Sequence, residues 1–466
     1  MEGRIEASGA ERSGARGVPP WADPVSRRSV LKGIGAGALA LGSGGFLEAC
    51  SKSIKGSGGG SAGKITIGFV SPQTGALAGF ASGDNFVVDT IRTTGPYKNG
   101  FKVGGKTYTV DILVKDSQSD PNRASEVARE LITTDHADLV VTSSTPETTN
   151  PVATACETAG VPCVSTVVPW QAWYFSRQAD PKNPQPFKYT TMFFFGAEAF
   201  GGCFIPMWNA VPTNKVVAGQ WPNDPDGNAF REAWPGMAKA AGYTIVDGGA
   251  YQDGTTDYTS MISKFKSKDC ELFTNAPLPP DFNTFWKQAS QQGFKPKLAT
   301  VAKVLLFPAD TEALGSLVNN IATDSWWGPY MPFKSSLDGM TSQQLADAYQ
   351  TSSGKQWLQA LGSSYSLFEI AYEAMKAVDD PHDKNAVAAE LFKVNYAGMS
   401  GPLNFTTGPH IDPADQTSPT IPGIGLVNPV GVQWKPGKDF PWEMVVVDNS
   451  LNSEVPIGGQ LEPTNP

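Results

Sequence analysis

Basic residues, histidine and cysteine are all scarce in this chain of 466 residues. Lys and Arg number 36 against 45 Asp and Glu, which gives a formal net charge of -9. This balance argues against nucleic acid as a partner, because phosphate binding needs clustered lysine and arginine. The histidines His136, His382 and His410 are scattered, and the cysteine spacing does not resemble a zinc site. We therefore expect no metal and no cofactor.

The local signatures of common enzyme classes do not occur in the setting that their chemistry requires. A Gly-x-Ser-x-Gly pattern occurs at 59–63, but in the Gly/Ser-rich stretch, and a Gly-x-x-x-x-Gly-Lys-Thr pattern occurs at 100–107, but it leads into a predicted strand and not into a helix, so neither predicts a nucleophile elbow or a P-loop. The sequence contains no His-Glu-x-x-His motif and no Rossmann glycine fingerprint after the first predicted strand. Function has to be argued from a site, and no catalytic site is visible in the sequence. We expect a protein that is not an enzyme; an exported α/β enzyme with a spatially assembled site is the less favoured alternative.

The amino-terminal region has the pattern of an export signal. Ser-Arg-Arg-Ser-Val-Leu-Lys at 26–32 resembles a twin-arginine signal, and the Gly/Ala-rich stretch 33–46 is shorter than a membrane span. Leu-Glu-Ala-Cys at 47–50 resembles a lipoprotein box ending in Cys50. We predict a signal peptide over 1–49 and lipid on Cys50. The alternative is an ordinary signal cut elsewhere, which leaves Cys50 as a stray thiol.

Residues 50–63 are rich in Ser, Gly and Lys, a composition that cannot bury a core. We predict that they form a flexible, lipid-anchored linker. No later run reaches the ~20 apolar residues that a membrane span needs, so we expect membrane contact through the lipid alone. The expected location is extracytoplasmic, with the exported chain anchored to the cell membrane.

The cysteines beyond Cys50 leave two alternatives open. Export to an oxidising compartment permits disulfides. Pairing Cys156 with Cys163, and Cys203 with Cys270, would keep each bridge local to one region. Four buried thiols are the other reading of the same residues.

From Lys64 onward, strand-like apolar runs alternate with amphipathic helical runs. One series ends before the Pro/Gln/Asn-rich stretch 180–187, and a second series follows it. This alternation predicts an α/β fold with two doubly wound lobes, each a mainly parallel sheet covered by helices on both faces. Ligands in such sheets lie beyond the carboxyl ends of the strands, so we expect a ligand cleft between the lobes.

The best candidate binding loop is Thr-Ser-Ser-Thr-Pro at 142–146, which follows a buried strand and opens a helix. Hydroxyl groups and free backbone N–H groups at a helix N-terminus suit an anion, and the helix dipole favours a carboxylate there. Simple N-capping by serine or threonine is the alternative. The next strand ends at 165–170, beside this loop in a parallel sheet.

Several short motifs follow one another in a specific order along the chain. They are Ile67-Gly68-Phe69, Thr74-Gly75, Gly79-Phe80, Val114-Lys115-Asp116-Ser117, Asp120-Pro121, the 142–145 loop, Ala159-Gly160-Val161-Pro162 and Gly401-Pro402-Leu403-Asn404-Phe405. In this order they resemble the type 1 periplasmic solute-binding proteins of ABC importers, in particular the branched-chain-amino-acid-binding group.

The resemblance implies two lobes joined by a three-stranded hinge that close on a small-molecule ligand. It places lobe 1 at 64–188 plus 326–400, lobe 2 at 189–325 plus 401–450, and a C-terminal tail at 451–466. It also implies a monomer that delivers its ligand to a membrane permease. A ligand-sensing receptor domain of the same fold is the alternative.

The resemblance further implies roles for individual residues. Ser143, Ser144 and Thr145 would hold a ligand carboxylate. Thr166 and Val167 would complete that grip through backbone groups, and Phe80 would form a wall. Asn275 and Pro277 lie in a loop of the second lobe that often presents a tyrosine.

Lys303 falls near the place where the family has an acidic partner for an α-ammonium group. A cation there favours a second anionic or carbonyl group on the ligand, so the expected ligand is amino-acid-like, an amide or an aromatic carboxylate.

Aromatic residues near strand ends suit a ring-bearing ligand, with core packing as the alternative. Trp170 is the best candidate because it follows the second cleft loop. The others are Trp173, Tyr174, Phe193, Phe194, Phe195, Trp221, Trp326, Trp327 and Tyr330.

Overall fold

A computed structural model of the chain describes residues 62–464, all of which lie in one compact unit. The strands are β1 (Lys64–Ser71), β2 (Phe101–Val103), β3 (Lys106–Asp116), β4 (Leu139–Ser143), β5 (Cys163–Thr166), β6 (Thr190–Phe193), β7 (Val216–Gln220), β8 (Thr244–Asp247), β9 (Leu272–Asn275), β10 (Leu298–Val301), β11 (Ala322–Ser325), β12 (Asn395–Gly398), β13 (Gly401–Asn404), β14 (Ile424–Gly425), β15 (Val430–Pro436) and β16 (Trp442–Asp448). The α-helices are α1 (Ala78–Ala81), α2 (Asp84–Thr93), α3 (Gly95–Asn99), α4 (Pro121–Thr133), α5 (Pro146–Ala159), α6 (Trp170–Tyr174), α7 (Ala197–Asn209), α8 (Pro225–Ala240), α9 (Thr259–Ser267), α10 (Pro279–Gln291), α11 (Pro308–Leu314), α12 (Ser342–Ser353), α13 (Ala360–Lys376) and α14 (Lys384–Leu391).

The first lobe is built on a seven-stranded sheet in the order β14-β6-β5-β4-β1-β3-β2. Every neighbouring pair is parallel except the edge pair β2 and β3. All residues of β4 and β5 are buried, and so is β1 after its first residue. Near-continuous burial of this kind is what a parallel sheet covered on both faces requires.

The second lobe has its own seven-stranded sheet in the order β16-β15-β11-β10-β9-β7-β8. Strands β7 to β11 pair in parallel, and β15 and β16 add an antiparallel edge. A separate antiparallel hairpin joins β12 to β13. The predicted fold class, with two doubly wound α/β lobes, is confirmed.

Local sequence signals explain where the helices near the cleft begin and end. Asp120 caps α4 by accepting a hydrogen bond from the Arg123 backbone N–H, and proline occupies the first helical position. Helix α5 ends at Gly160, whose φ of 67° is left-handed and therefore favours glycine. Asp224 caps α8 in the same way as Asp120, with an acceptor distance of 2.6 Å to Gly227 N.

The chain passes between the two sheets three times, after β6, after β11 and after β14. These crossovers lie together: Phe194 N donates to Gly425 O at 3.0 Å, and the rings of Phe194 and Trp326 lie 5.0 Å apart. A hinge motion of the two lobes would have to bend the chain at these segments.

The predicted lobe boundaries at 189 and 401 are wrong. Strand β6 belongs to the first sheet, where it pairs in parallel with β5 and is fully buried. Strand β14 pairs with β6, and Leu403 and Phe405 pack in the core that the first sheet shares. The first lobe therefore keeps the chain up to Phe193 and takes in the hairpin and β14. Of the region 401–450, the second sheet takes only β15 and β16.

The predicted C-terminal tail from 451 also packs on the second lobe as far as it is described. Val455 is fully buried in a cluster with Val432 and Val446. Thr464 accepts a hydrogen bond from Ala299 N at 2.9 Å, which ties this segment to β10. The segment is an integral part of the lobe.

Of the two alternatives for the cysteines, the structure contains the second: Cys156, Cys163, Cys203 and Cys270 are free, buried thiols. Cys203 lies on α7 and Cys270 precedes β9, in separate apolar clusters, so this pair is not brought together. Cys156 and Cys163 are close enough for their thiols to hydrogen-bond, which together with burial holds the pKa of Cys156 well above its usual value.

The predicted signal peptide, the linker and Cys50 lie outside the described residues. Within 62–464, no helix has the length and apolar character that crossing a membrane requires. The same part of the chain contains no group of His, Cys, Asp or Glu residues arranged to hold a metal ion.

Candidate functional site

Residues of both lobes line one cavity, and they include residues one or two positions after the ends of β4, β5, β6, β9 and β10. The cavity is about 30 Å³, room for only one or two water molecules. Its lining residues are Phe80, Thr145, Val167, Pro169, Phe194, Phe195, Phe200, Asp226, Phe230, Ala276, Lys303, Leu306, Asp324 and Trp326. The cleft between the lobes is therefore closed around a small space, and a larger ligand enters only if the lobes separate.

The first lobe brings hydroxyl groups to this cleft. Ser143 ends β4, Ser144 follows it, and the side-chain oxygens of both are buried without a hydrogen-bond partner within 62–464. Ser165 on the adjacent strand β5 is in the same condition. Buried hydroxyls are normally hydrogen-bonded, so this cluster has unused binding capacity. Of the predicted hydroxyl residues, only Thr145 lines the cavity itself.

The two residues predicted to complete this carboxylate grip, Thr166 and Val167, have different surroundings in the structure. Thr166 is committed to the sheet, because its hydroxyl donates to Phe193 O at 2.8 Å. Val167 lines the cavity and has a φ of 63°, which is a genuine outlier for a β-branched residue. Strain of this kind persists only where the surrounding structure holds it, and it clusters at functional sites.

Lys303 carries the positive charge of the cleft, and three carboxylates surround it. Its Nζ lies 2.7 Å from Asp226 Oδ2, 3.2 Å from Glu147 Oε1 and 3.3 Å from Asp224 Oδ2. Asp224 and Asp226 begin α8 of the second lobe, whereas Glu147 lies in the first turn of α5 in the first lobe. The pair between Lys303 and Glu147 therefore bridges the lobes.

Burial disfavours every charge in this cluster, and attraction to Lys303 offsets that effect only in part at Asp224 and Asp226. Burial raises the pKa of Asp226 to about 7, and it raises the pKa of Asp224 as well. Burial pushes the Glu147 pKa up too, but Lys303 and hydrogen bonding by Thr145 and the backbone outweigh it, so that pKa is lowered. The ammonium group of Lys303 is thus paired with three protein carboxyl groups and is not free to pair with a ligand.

Aromatic rings form a continuous wall along the cavity. Phe194 and Phe195 stack with centroids 4.1 Å apart, and Phe200 lies 4.8 Å from both Phe195 and Phe230. Trp326 extends the wall, with its ring centroid 5.0 Å from that of Phe194 and 6.3 Å from that of Phe195. Opposite lobes also touch directly through Phe80 and Phe307, whose centroids are 4.8 Å apart in an edge-on arrangement.

A fourth carboxyl group, Asp324 at the end of β11, lines the cavity without a cation. It is 1% exposed, forms no ion pair among the described residues, and its Oδ1 has no hydrogen-bond partner there. Burial raises the pKa of Asp324 to about 7, against hydrogen bonds from the backbone and Thr323 that lower it.

Three other predicted residues, Trp170, Asn275 and Pro277, do not line the cavity, and the first two support it from behind. Trp170 is fully buried and its ring N–H donates to Glu198 Oε1 at 2.8 Å, which ties α6 to the first turn of α7. Asn275 accepts a hydrogen bond from Ala302 N at 3.0 Å and so fixes the loop that carries Lys303. Pro277 does not reach the cavity, whereas its neighbour Ala276 does.

Sequence reasoning missed the carboxyl groups of the cleft altogether. Glu147 and Asp226 each follow a proline at a helix start, where an acidic residue normally indicates only favourable helix-dipole interaction. Asp324 lies in the short polar strand Ala-Thr-Asp-Ser, which carries no clear strand pattern. The one signal in the sequence that could have indicated Asp324 as a cleft residue was its carboxyl group near the end of a strand.

The family model described as periplasmic binding protein matches residues 64–414. Among solved structures, the leucine binding protein LivK from Thermotoga maritima is 16% identical, with a TM-score of 0.65 over 82% of this chain and 98% of that one. The branched-chain amino acid transporter substrate binding protein LivJ from Streptococcus pneumoniae, in complex with isoleucine, is 18% identical, with a TM-score of 0.62 over 83% and 99%. A solute binding protein of an ABC transporter from Rhodopseudomonas palustris, in complex with 3,4-dihydroxy benzoic acid, is 16% identical, with a TM-score of 0.61 over 82% and 96%.

Two sheets, three crossovers and a closed interlobe cleft define the type 1 class of two-lobed binding proteins. The chain belongs to the periplasmic binding protein family, whose model spans the chain from β1 to the segment after β13. The resemblance inferred from the ordered motifs is confirmed.

Proposed function

We propose that this protein is the extracytoplasmic substrate-binding component of an ABC importer. It would take a small organic ligand into the interlobe cleft, close over it, and present the closed face to a membrane permease. The observation that carries the proposal is the cleft itself, where buried hydroxyl and carboxyl oxygens without partners surround a cavity between two lobes. No bond is made or broken in this cycle, so no catalytic residue is assigned.

Closure is supported by contacts that cross between the lobes. Lys303 reaches Glu147, and Phe307 packs edge-on against Phe80. Two of the structural neighbours described above are named as transport components and hold a small organic molecule. The expected ligand classes for this chain, amino-acid-like molecules, amides and aromatic carboxylates, stay predictions.

A thermal-shift and calorimetry panel of amino acids, aromatic acids, amides, amines and ureas tests the proposal. A ligand at 100 times its Kd adds about 2.7 kcal/mol to stability, a shift that is readily measured. Ala276→Trp should fill the cavity and abolish the response, whereas Ala250→Trp at an exposed position should not. Turnover of a panel compound without stabilisation would contradict the proposal and favour an enzyme.

We also propose that Cys50 carries a lipid and that the monomeric chain is held beside its permease by the 50–63 linker. Metabolic labelling with palmitate should mark the protein, and Cys50→Ala should lose the label. Cys203→Ala, which removes a buried thiol, should keep it. Equal labelling of the Cys50→Ala variant would remove the anchor and leave the binding proposal intact.

A further inference from the structure

The cleft contains one carboxyl group that no protein cation balances. Asp324 lines the cavity at 1% exposure, and neither an ion pair nor a hydrogen bond to its Oδ1 exists within 62–464. A buried carboxylate without a partner is strongly unfavourable unless something pairs with it. Glu147, Asp224 and Asp226 already share the ammonium of Lys303, and no ion pair within 62–464 involves Asp324.

The surroundings of Asp324 suit an organic cation in particular. Trp326 is two residues further along the chain, its ring lies 5.0 Å from that of Phe194, and Phe195 stacks on Phe194. All three rings line the same cavity as Asp324. Aromatic faces attract cations by their quadrupole, and the attraction is largest in desolvated sites.

A ligand carboxylate, by contrast, has no vacant cation in this cleft. The first turn of α5, where a free carboxylate was expected to bind, already holds the carboxylate of Glu147. A second anion there would face Glu147 and Asp226 across a short distance, with Lys303 already paired to both. Like charges in a buried site disfavour each other.

We propose that the cleft ligand is an organic cation without a carboxylate. Its ammonium or similar group pairs with Asp324, and its apolar body lies against Phe194, Phe195 and Trp326. The inference rests on the proposed function, since it names the ligand class of the same cleft. It departs from the carboxylate ligand that the sequence favours.

Three probes of similar shape and different charge test this assignment on the unaltered protein by isothermal calorimetry: benzylamine, benzyl alcohol and benzoate. Benzylamine, a cation at neutral pH, should bind at least about tenfold more tightly than benzyl alcohol, and benzoate should not bind. Benzoate or leucine binding in preference to benzylamine would overturn the inference and leave the binding function standing. Failure of every compound, here and in the wider panel, would overturn both.

Two matched variants locate the cation. Asp324→Asn should weaken benzylamine binding at least about tenfold and leave benzyl alcohol unchanged. Asp310→Asn is the control, because Asp310 also has a buried carboxyl oxygen without a hydrogen-bond partner within 62–464 but does not line this cavity. An equal loss of benzylamine affinity in the two variants would mean that the effect comes from the overall charge of the protein, and it would contradict the assignment to Asp324.

Discussion

The first lobe brings neutral hydroxyl groups to the cleft, whereas the second lobe brings charge. Ser143 and Ser144 lie at the end of β4 with buried oxygens that lack partners. Asp226, Lys303 and Asp324 enter the same cleft from the second lobe. Glu147 adds a charge from the first lobe, and its partner Lys303 lies across the cleft.

The two sides of the cleft therefore depend on lobe closure to different degrees. The hydroxyl edge, formed by Ser143, Ser144 and Ser165, is held by the adjacent strands β4 and β5 and would persist in an open form. The charged side around Lys303 loses one of its ion pairs if the lobes separate, because the Glu147 carboxylate moves away from Lys303. Ligand-driven closure would therefore change the ion pairs of the second lobe more than the hydroxyl groups of the first lobe.

Replacing Lys303 with methionine should break this arrangement most severely. Three carboxylates would be left buried without a cation, and loss of one partner from a buried pair costs about 3–5 kcal/mol. Urea unfolding measures the loss, and small-angle scattering shows whether the lobes open in response. Lys297→Met is the control, because Lys297 pairs with Glu271 on the surface, where such pairs contribute about 0–1 kcal/mol. Equal losses would contradict the assigned role of the cluster.

The pH dependence of stability should be the next largest effect. Burial raises the pKa of Asp324 from 3.8 to about 7, so the folded protein keeps this proton through a range where the unfolded chain releases it. Folding stability therefore falls as pH rises from about 4 to 7, by about 1.4 kcal/mol for each unit of pKa shift at most. The neighbours Cys203 and Tyr330 have raised pKa values and stay neutral in this range.

Urea unfolding at several pH values checks this effect. Asp324→Asn should flatten the fall in stability and be relatively more stable at pH values above about 7. Asp111→Asn, at a carboxylate whose side chain is 41% exposed and pairs with Lys64, should leave the slope unchanged. A slope that is the same in Asp324→Asn and the parent protein would show that this carboxyl does not titrate as described.

Removal of the aromatic contact between the lobes should have a moderate effect on closure. Phe80→Ala loses the edge-on pair with Phe307, worth about 1 kcal/mol beyond the lost burial. Scattering in the presence of ligand should show a smaller closed fraction. Phe86→Ala removes a comparable pair with Tyr349 inside the first lobe and should leave closure unchanged. If both variants close equally, the Phe80 contact does not hold the lobes together.

Ser144→Ala should have the smallest effect on the free energy of unfolding, and its sign should be opposite to that of Lys303→Met. The Ser144 hydroxyl is buried without a partner, so its removal should be neutral or stabilise the protein by up to about 1 kcal/mol. Unfolding measurements with and without ligand separate structure from binding. A clear loss of stability would reveal an internal hydrogen bond and make the hydroxyl edge less available to a ligand.

The sequence alone determined the elements whose signals are local. Strands such as β1 and β9 follow from short apolar runs, and α4 from an Asp-Pro start and an apolar stripe. Helix α7 has no such local signal, because Gly201, Gly202 and Pro206 interrupt its pattern, and packing against β11, β15 and α8 sustains it.

Tertiary structure decided the assembly of the cleft. Lys303 was found from the sequence, but its neutralisation by Glu147, 156 positions away, and by Asp224, 79 positions away, was not. The same holds for β6 and β14, whose place in the first sheet depends on pairing with distant strands. Local periodicity reports which face of an element is buried, whereas the charge balance of a site depends on which distant side chains folding brings within a few ångströms of one another.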